Sequence, residues 1–231
     1  MLEEPILIGD SDFDWLRPPA GGWHCRCGKA TEHPGMCQQC ADEDQERDRK
    51  RAISARVMVL PVAFRWASFD SEDLERRSSK GSVTKAKKVA EGLCGGRVSG
   101  VTFLGPAGSG KTSLACAMLR TTFALPIGFS PLFCGSIALS RARQDSGLGH
   151  TPQEIHDAIH ASIIVLDDVG QEPARLSDSV AEVIHERHND SKPTIITSGL
   201  SADELVHRYG DGTARRMFER SALLQLKGKA S

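Results

Sequence analysis

The sequence has 231 residues, enough for one α/β domain of ordinary size plus a small appendage. Its 29 basic and 30 acidic residues leave a formal net charge of −1, which argues against a generally basic nucleic-acid-binding protein but not against a local basic patch. No apolar run approaches the length of a membrane span, so no membrane partner is expected. The first residues show no secretory signal, and we expect a cytoplasmic protein.

The N-terminal part predicts a lead-in followed by a metal site. Residues 1–22 mix acids, prolines and glycines, which is typical of a flexible or turn-rich segment. Residues 23–41 hold two close pairs of cysteines: Cys25, Cys27, Cys37 and Cys40. Such pairs on tight turns can supply four thiolates to a structural Zn²⁺, so we predict a zinc-binding module. A disulfide or free thiols are the alternative, and His24 or His33 could replace one cysteine as a ligand.

Two further segments precede the main motifs. Residues 42–63 carry acids before bases, which favours an exposed helical linker, although a merely solvated linker fits as well. Phe64, Trp66 and Phe69 fall within six residues of a chain that is only 5% aromatic, and we expect them to anchor this segment to the main domain. A basic helical stretch follows, and a solvated face is its simplest explanation: Arg76, Arg77, Lys80, Lys85, Lys87 and Lys88.

Residues 105–112 form a complete phosphate-binding loop between an apolar run and a helical pattern. Glycines let several backbone N–H groups point at one anion, and the new helix adds the positive end of its dipole. Lys111 is predicted to lie along the β- and γ-phosphates of ATP, and Thr112 to ligate the accompanying Mg²⁺. The other predicted nucleotide-binding residues of this segment are Gly105, Pro106, Ala107, Gly108, Ser109, Gly110 and Ser113.

The next segments predict ordinary α/β elements. A strand is predicted over 127–134, interrupted by Pro131, and then a helix that carries Arg141 and Arg143. Residues 147–149 read as a turn. Residues 151–154 have the form of a capping box with proline at the first helical position, so a helix is predicted from there towards His160.

An aliphatic run from residue 163 ends in Asp167 and Asp168, which is typical of a Walker B strand. A buried parallel strand brings such acids to the carboxyl edge of its sheet, where α/β proteins bind ligands. Asp167 is predicted to hold Mg²⁺ through water, and Asp168 to orient and polarise the water that attacks the γ-phosphate. A turn-forming Asp-Asp pair at a strand end is the alternative.

A second β-branched strand, 194–197, ends at Ser198 and Gly199. In the usual fold it lies between the phosphate loop and the Walker B strand, so Thr197 or Ser198 is predicted to act as a polar sensor near the γ-phosphate. Residues 201–204 are predicted to cap the next helix, and residues 223–226 to form the last strand.

From Phe64 to Lys229 the chain resembles AAA+ ATPases of the DnaC/IstB type, the helicase loaders and their transposition relatives. The resemblance lies in residues 64–69, 105–112, 164–170 and 192–198, in family order. It implies an α/β P-loop NTPase domain over 64–231, with a parallel sheet sandwiched by helices and no C-terminal lid domain. The family sensor commonly reads Thr-Ser-Asn, whereas this chain has Gly199 in third place, so Thr197 or Ser198 must substitute or hydrolysis is slow.

The resemblance also implies partners. Arg216, or failing that Arg215, matches the arginine that reaches the γ-phosphate of a neighbouring subunit, so we expect a homo-oligomer. A helicase loader would bind a hexameric replicative DNA helicase and single-stranded DNA, with Arg141 and Arg143 as candidates for phosphate contact. The alternatives are an IstB-like transposition regulator that binds duplex DNA and a nucleotide-dependent helicase adaptor or inhibitor.

Overall fold

The structure is a computed structural model that describes residues 22–33, 35–125, 128–146 and 150–228. The chain divides into two compact units, Met1–Arg51 and Ala52–Ser231. The predicted lead-in, except for Gly22, and the predicted turn at 147–149 lie outside the described residues.

The first unit contains a short hairpin and the start of a long helix. β1 (Trp23–His24) pairs antiparallel with β2 (Ala30–Thr31). α1 (Gln38–Val57) begins at the second cysteine pair, so helix forms four residues before the charged segment 42–63 and ends within it. Charged side chains one turn apart pair along α1, as in the 3.6 Å contact between Lys50 Nζ and Glu46 Oε1.

The described part of the second unit contains a five-stranded parallel sheet in the order β4-β5-β6-β3-β7. Parallel strands place all their carboxyl ends at one edge, so the segments after β3, β5 and β6 meet there. β6 lies between β3 and β5, as expected. The strands are β3 (Gly100–Leu104), β4 (Pro131–Gly135), β5 (Ile163–Asp167), β6 (Thr194–Ser198) and β7 (Ser221–Gln225).

Helices cover both faces of this sheet. Along β5, Ile163 and Val165 belong to a core with residues of α3 and α4, whereas Ile164 and Leu166 belong to a core with residues of α5 to α8. This alternation confirms the predicted sheet between two helical layers. The helices are α2 (Glu72–Arg77), α3 (Lys80–Cys94), α4 (Lys111–Thr121), α5 (Ser136–Asp145), α6 (Gln153–His160), α7 (Asp178–Asn189) and α8 (Ala202–Phe218).

The aromatic segment before α2 is anchored as predicted. Phe64, Trp66 and Phe69 pack against the core beside α4. Arg120 of α4 donates from Nε to the carbonyl oxygen of Ala67 at 2.8 Å. The segment is therefore held by apolar burial and by hydrogen bonds to its backbone.

Two predicted element starts are wrong in detail. β4 begins at Pro131, so this proline opens an edge strand and does not interrupt one. α6 begins at Gln153, and Thr151 makes no capping bond, because Pro152 stays extended with ψ of 147° and itself occupies the cap position. The capping box of α8 is confirmed, since the Ser201 and Glu204 side chains each bond the other's backbone N–H.

Candidate functional site

The loop between β3 and α4 surrounds the side chain of Lys111. This residue is buried, and its Nζ donates to the carbonyl oxygens of Gly105 at 2.8 Å and Pro106 at 2.9 Å. Burial lowers the pKa of Lys111, while the charges of Asp168 and Asp167 oppose that shift. The ammonium is therefore held inside the loop with two acidic groups nearby.

Glycine is required at both ends of this loop. A Cβ atom at Gly105 would lie 2.5 Å from the carbonyl oxygen of Leu226, and one at Gly110 would lie 2.2 Å from Ser78 Oγ. Both glycines also have positive φ, 153° and 88°, which L side chains rarely adopt. Gly110 directly precedes α4, so the free N–H groups of that helix start face the same space as the loop.

Asp167 joins three elements at the carboxyl edge of the sheet. Its Oδ1 accepts from Thr112 Oγ1 of α4 at 3.0 Å and from Thr197 Oγ1 of β6 at 2.7 Å. Burial raises the pKa of Asp167, and the two hydroxyl donors oppose the rise. Hydroxyl and carboxylate oxygens are ligands that suit Mg²⁺, so the neighbouring Thr112 and Asp167 fit the metal predicted to accompany ATP.

Asp168 is exposed at the start of the turn that follows β5. Its φ of 53° is uncommon for a residue with a side chain, and its N–H donates to Thr197 Oγ1 at 2.9 Å. It lines a cleft of about 430 Å³ together with residues of the loop and two others: Phe64, Arg77, Ala107, Gly108, Gly110, Lys111, Thr112 and Ser113. The structure thus brings the predicted lysine, hydroxyl and carboxylate groups together. Among the described residues, the buried hydroxyl of Ser109 makes no hydrogen bond.

The two predicted sensor hydroxyls have different surroundings. Ser198 Oγ donates to the carbonyl oxygen of Val169 at 2.6 Å and accepts from the Leu200 N–H at 3.1 Å. Thr197 Oγ1 instead contacts the Asp167 carboxylate. Thr197 is therefore the better placed of the two to respond to a ligand at that carboxylate.

The predicted intersubunit arginines lie at the opposite edge of the sheet from the loop. Arg216 lines a cavity of about 50 Å³ beside the first residues of β3, β6 and β7, and its Nη1 donates to the Gly212 carbonyl at 2.9 Å. Its buried Nε has no hydrogen-bond partner within the described chain. Arg215 is 67% exposed, with Nη1 3.9 Å from Glu219 Oε2. Arg220 lines the same cavity and has φ of 57°, a backbone feature that sequence patterns did not reveal.

The two arginines predicted to contact DNA also differ. Arg143 of α5 forms an ion pair with Glu182 of α7. Arg141 is exposed and has no ion pair with any residue that the structure describes. Arg141 is thus the more available for a phosphate contact.

Four thiols converge in the first unit. The Sγ atoms of Cys25, Cys27, Cys37 and Cys40 all lie within 4.8 Å of one another, and those of Cys27 and Cys37 are 3.7 Å apart. A tetrahedral zinc site with bonds of about 2.3 Å has sulfur atoms about 3.8 Å apart, so the cluster fits Zn²⁺. Hydrogen bonds, first that with the Cys27 backbone, lower the pKa of the Cys25 thiol to about 6, which favours a thiolate. His24 and His33 are not part of this cluster among the described residues, and the cysteines are not joined as disulfides.

The phosphate-binding loop, the Walker B acids and the sheet order define an AAA+ P-loop NTPase domain. The family model of the IstB-like ATP binding protein matches residues 41–228. The chain therefore belongs to the IstB-like ATP-binding family and is an AAA+ protein of the DnaC/IstB type. No match is found among curated proteins.

Solved structures share this fold. The crystal structure of the DnaC helicase loader covers 72% of this chain and 100% of its own, with a TM-score of 0.61 and 24% identity. The crystal structure of DnaI covers 69% and 95%, with a TM-score of 0.52 and 21% identity. AMPPCP-bound DnaA from Aquifex aeolicus covers 66% and 49%, with a TM-score of 0.53 and 17% identity.

Within the described chain, no helix combines the length and apolar character needed to cross a membrane.

Proposed function

We propose that the protein is an ATP-dependent helicase loader, whose assembly on a hexameric replicative helicase and on single-stranded DNA is switched by ATP binding and hydrolysis. One observation supports the ATPase activity. Lys111 is held inside the phosphate-binding loop, and Thr112 and Thr197 both donate hydrogen bonds to the Asp167 carboxylate beside it. The loader part is supported by the likeness of the fold to the DnaC helicase loader.

Each residue of the site has a task in ATP hydrolysis. The loop N–H groups and Lys111 bind the phosphates, and Thr112 and Asp167 hold Mg²⁺, which neutralises phosphate charge when bound. Asp168 orients the water whose oxygen bonds to the γ-phosphorus while the bond to the β,γ-bridging oxygen breaks. The water proton passes to Asp168 or to solvent, and ADP and phosphate leave. Thr197 fixes the orientation of Asp167 through its 2.7 Å hydrogen bond.

Steady-state turnover of purified protein tests this ATPase. Lys111→Ala should abolish detectable ATP binding and Asp168→Asn should retain binding but lower kcat by at least about 100-fold. Lys88→Ala, which removes an exposed lysine from α3, is the matched control and should leave both unchanged. Undiminished turnover in Lys111→Ala would exclude this site.

The oligomer proposal can be tested by mixing two variants. Lys111→Ala subunits lack a working phosphate-binding loop but keep Arg216. Arg216→Ala subunits keep the loop but lack the arginine. If Arg216 completes the neighbour's site, the mixture should recover turnover that neither variant shows alone. Parallel mixtures with Arg215→Ala and Arg220→Ala identify which of the three arginines acts between subunits. Recovery with none of them would contradict an intersubunit arginine.

The partner can be identified by stimulation and by complex formation. Turnover raised by single-stranded DNA, together with co-elution with the replicative helicase on size exclusion, supports a loader. The family match to IstB-like proteins favours a second candidate, a transposition regulator that binds duplex DNA. Stimulation by duplex alone, without a helicase complex, would support it; a helicase complex without turnover would indicate the adaptor. Arg141→Ala should weaken DNA binding more than Arg143→Ala, because Arg143 is already paired with Glu182.

The cysteine cluster is proposed to hold one structural Zn²⁺ and to contribute a surface for the helicase. Elemental analysis should find one zinc per chain in the wild type and none in Cys27→Ser/Cys37→Ser. Cys94→Ser is the matched control, because Cys94 lies outside the cluster. Absence of zinc from protein purified without chelator would contradict the module.

A further inference from the structure

The carboxyl end of β6 offers few uncommitted polar side chains. The Thr197 hydroxyl bonds Asp167, the Ser198 hydroxyl bonds the backbone, and Gly199 has no side chain. Gly199 directly follows Ser198, the last residue of β6. The chain therefore has no side chain at the first position after β6, at the edge of the sheet where Thr197 contacts Asp167.

Nothing in the local structure requires glycine at 199. Its φ lies outside the left-handed range, and the nearest atom to an added Cβ would be at an ordinary contact distance of 3.6 Å. That atom is Nε2 of Gln171. A carboxamide thus lies where a side chain from residue 199 would point.

Gln171 follows directly from the Walker B acids. Its backbone N–H donates to the Asp168 carbonyl oxygen at 3.0 Å, which closes the turn after β5. Its side chain is exposed, and its amide makes no hydrogen bond with any residue that the structure describes. A carboxamide can donate to a phosphate oxygen and accept from water at the same time.

A buried cluster fixes the turn on both sides of Gln171. The Glu172 side chain is fully buried, and its carboxylate accepts from the Gly170 N–H at 3.0 Å, from Arg208 Nη2 at 3.2 Å and from the Tyr209 hydroxyl. A Cβ at Gly170 would lie 2.5 Å from Leu200 Cδ1, so the turn packs closely against Leu200 at this glycine. The turn is thereby held in one conformation before any ligand binds.

We propose that Gln171 is a catalytic residue that contacts the attacking water and the terminal phosphate of ATP, in place of the side chain that Gly199 lacks. The proposal rests on the ATPase function proposed above. The turn holds the backbone of Gln171, and removal of one donor to charge that develops in the transition state typically costs about 100-fold in kcat. Gln171 lies in the loop after β5, whereas residue 199 directly follows β6, so an amide can be moved experimentally from one position to the other.

The experiment compares kcat, KM and ATP affinity for the wild type and four variants. Gln171→Ala and Gln171→Glu remove the amide donor, Gly199→Asn adds an amide directly after β6, and Gln171→Ala/Gly199→Asn moves the amide from one segment to the other. Gln153→Ala, at the start of α6, is the matched control for loss of an exposed glutamine. A fluorescent ATP analogue reports affinity, and thermal melting reports folding.

We expect Gln171→Ala and Gln171→Glu to lower kcat by about 100-fold, with ATP affinity unchanged and the melting temperature within about 2 °C of wild type. The double variant should return kcat to within about tenfold of wild type. That rescue would not occur if Gln171 merely supported the turn, because an Asn at position 199 cannot restore a contact within the loop after β5.

Three results would overturn the proposal. Wild-type turnover that is unchanged in Gln171→Ala would exclude Gln171 while leaving the ATPase intact. Loss of kcat that Gly199→Asn fails to rescue would assign Gln171 to folding of the turn. A wild type that binds ATP without any turnover would overturn the ATPase proposal and this one together, so the two failures are distinguishable.

Discussion

The two edges of the sheet each bury a cation, and the two cations are treated differently. At the amino edge, Arg187 of α7 is fully buried and donates to four backbone carbonyls and to Thr194 Oγ1, over 2.7 to 3.2 Å. At the carboxyl edge, Lys111 donates to two carbonyls of a loop that opens into a cleft. Arg187 uses its hydrogen-bond donors within the fold, whereas Lys111 can still bind an anion.

Burial shifts the pKa values of charged groups at both edges. Burial lowers the pKa of Arg187 to about 10, so the guanidinium stays charged at neutral pH and its hydrogen bonds persist. At the carboxyl edge, burial lowers the pKa of Lys111 and raises that of Asp167, so burial disfavours the charged forms of both groups. A bound polyphosphate would stabilise the charged form of Lys111, and its metal ion would stabilise the charged form of Asp167. The carboxyl edge differs from the amino edge because its buried charged groups keep capacity for a ligand, whereas Arg187 is fully hydrogen-bonded within the fold.

The largest effect should follow from Arg187→Met, which keeps similar bulk but leaves buried carbonyls without donors. Its partners lie at the end of α6 and at the start of β6, so their unpaired carbonyls should cost about 3–5 kcal/mol of unfolding free energy. Chemical denaturation measures the loss. Arg141→Met, at an exposed position, is the control and should change stability by less than about 0.5 kcal/mol. A cost below about 1 kcal/mol at Arg187 would refute its structural role.

Gly105→Ala should destabilise the protein by about 2–3 kcal/mol, because it combines a positive φ with a 2.5 Å contact to the Leu226 carbonyl. Gly96→Ala isolates the backbone part, since that glycine has φ of 68° and open space around it. We expect about 1 kcal/mol there. Equal costs at both positions would show that Leu226, which follows β7, does not constrain the loop.

Ser198→Ala should cost about 1 kcal/mol of stability and leave ATP affinity unchanged, because its hydroxyl bonds only backbone groups. Thr197→Val should have the opposite pattern: kcat should fall, and the free energy of unfolding should change little. Paired denaturation and turnover assays separate them. If Ser198→Ala reduced turnover and Thr197→Val did not, the sensor assignment would have to be exchanged.

The smallest effect is a stability change with pH at Asp167. Its pKa is raised from an ordinary value near 3.8, so the folded wild type loses stability as pH rises from 3.8 through the folded pKa. Without nucleotide, Asp167→Asn should therefore melt at most about 3 °C above wild type at pH 7, and the difference should vanish towards pH 4. A variant less stable than wild type at pH 7 would mean that the hydroxyl bonds outweigh burial.

Local sequence patterns predicted the functional residues at the carboxyl edge of the sheet but not the buried arginine at the amino edge. The loop and the Walker B acids each lie in a continuous stretch whose residues act together, so they could be predicted from the sequence, whereas the place of β6 between β3 and β5 was expected from the usual fold. Arg187 could not be predicted, because its partners are mostly backbone carbonyls at 158–161 and 193 that leave no side-chain signature. The same holds for Glu172, whose partner Arg208 lies 36 residues away.

Choices between neighbouring residues also needed coordinates. Thr197 and Ser198 are equally polar, and only the alternation of β6 separates them. The cap of α6 failed as a prediction because Pro152 keeps an extended backbone in front of the helix. The preference for Arg216 over Arg215 as an intersubunit arginine stays a prediction, because a single chain does not test it.

The most direct test of the contrast between the edges is thermal melting with and without Mg-ATP. Saturating ligand should raise the melting temperature of wild type and of Arg187→Lys equally, by about 5–10 °C, although Arg187→Lys starts lower. Lys111→Ala should start near wild type and show no shift. A full ATP shift in Lys111→Ala, or its loss in folded Arg187→Lys, would contradict the assignment of ATP binding to the carboxyl edge.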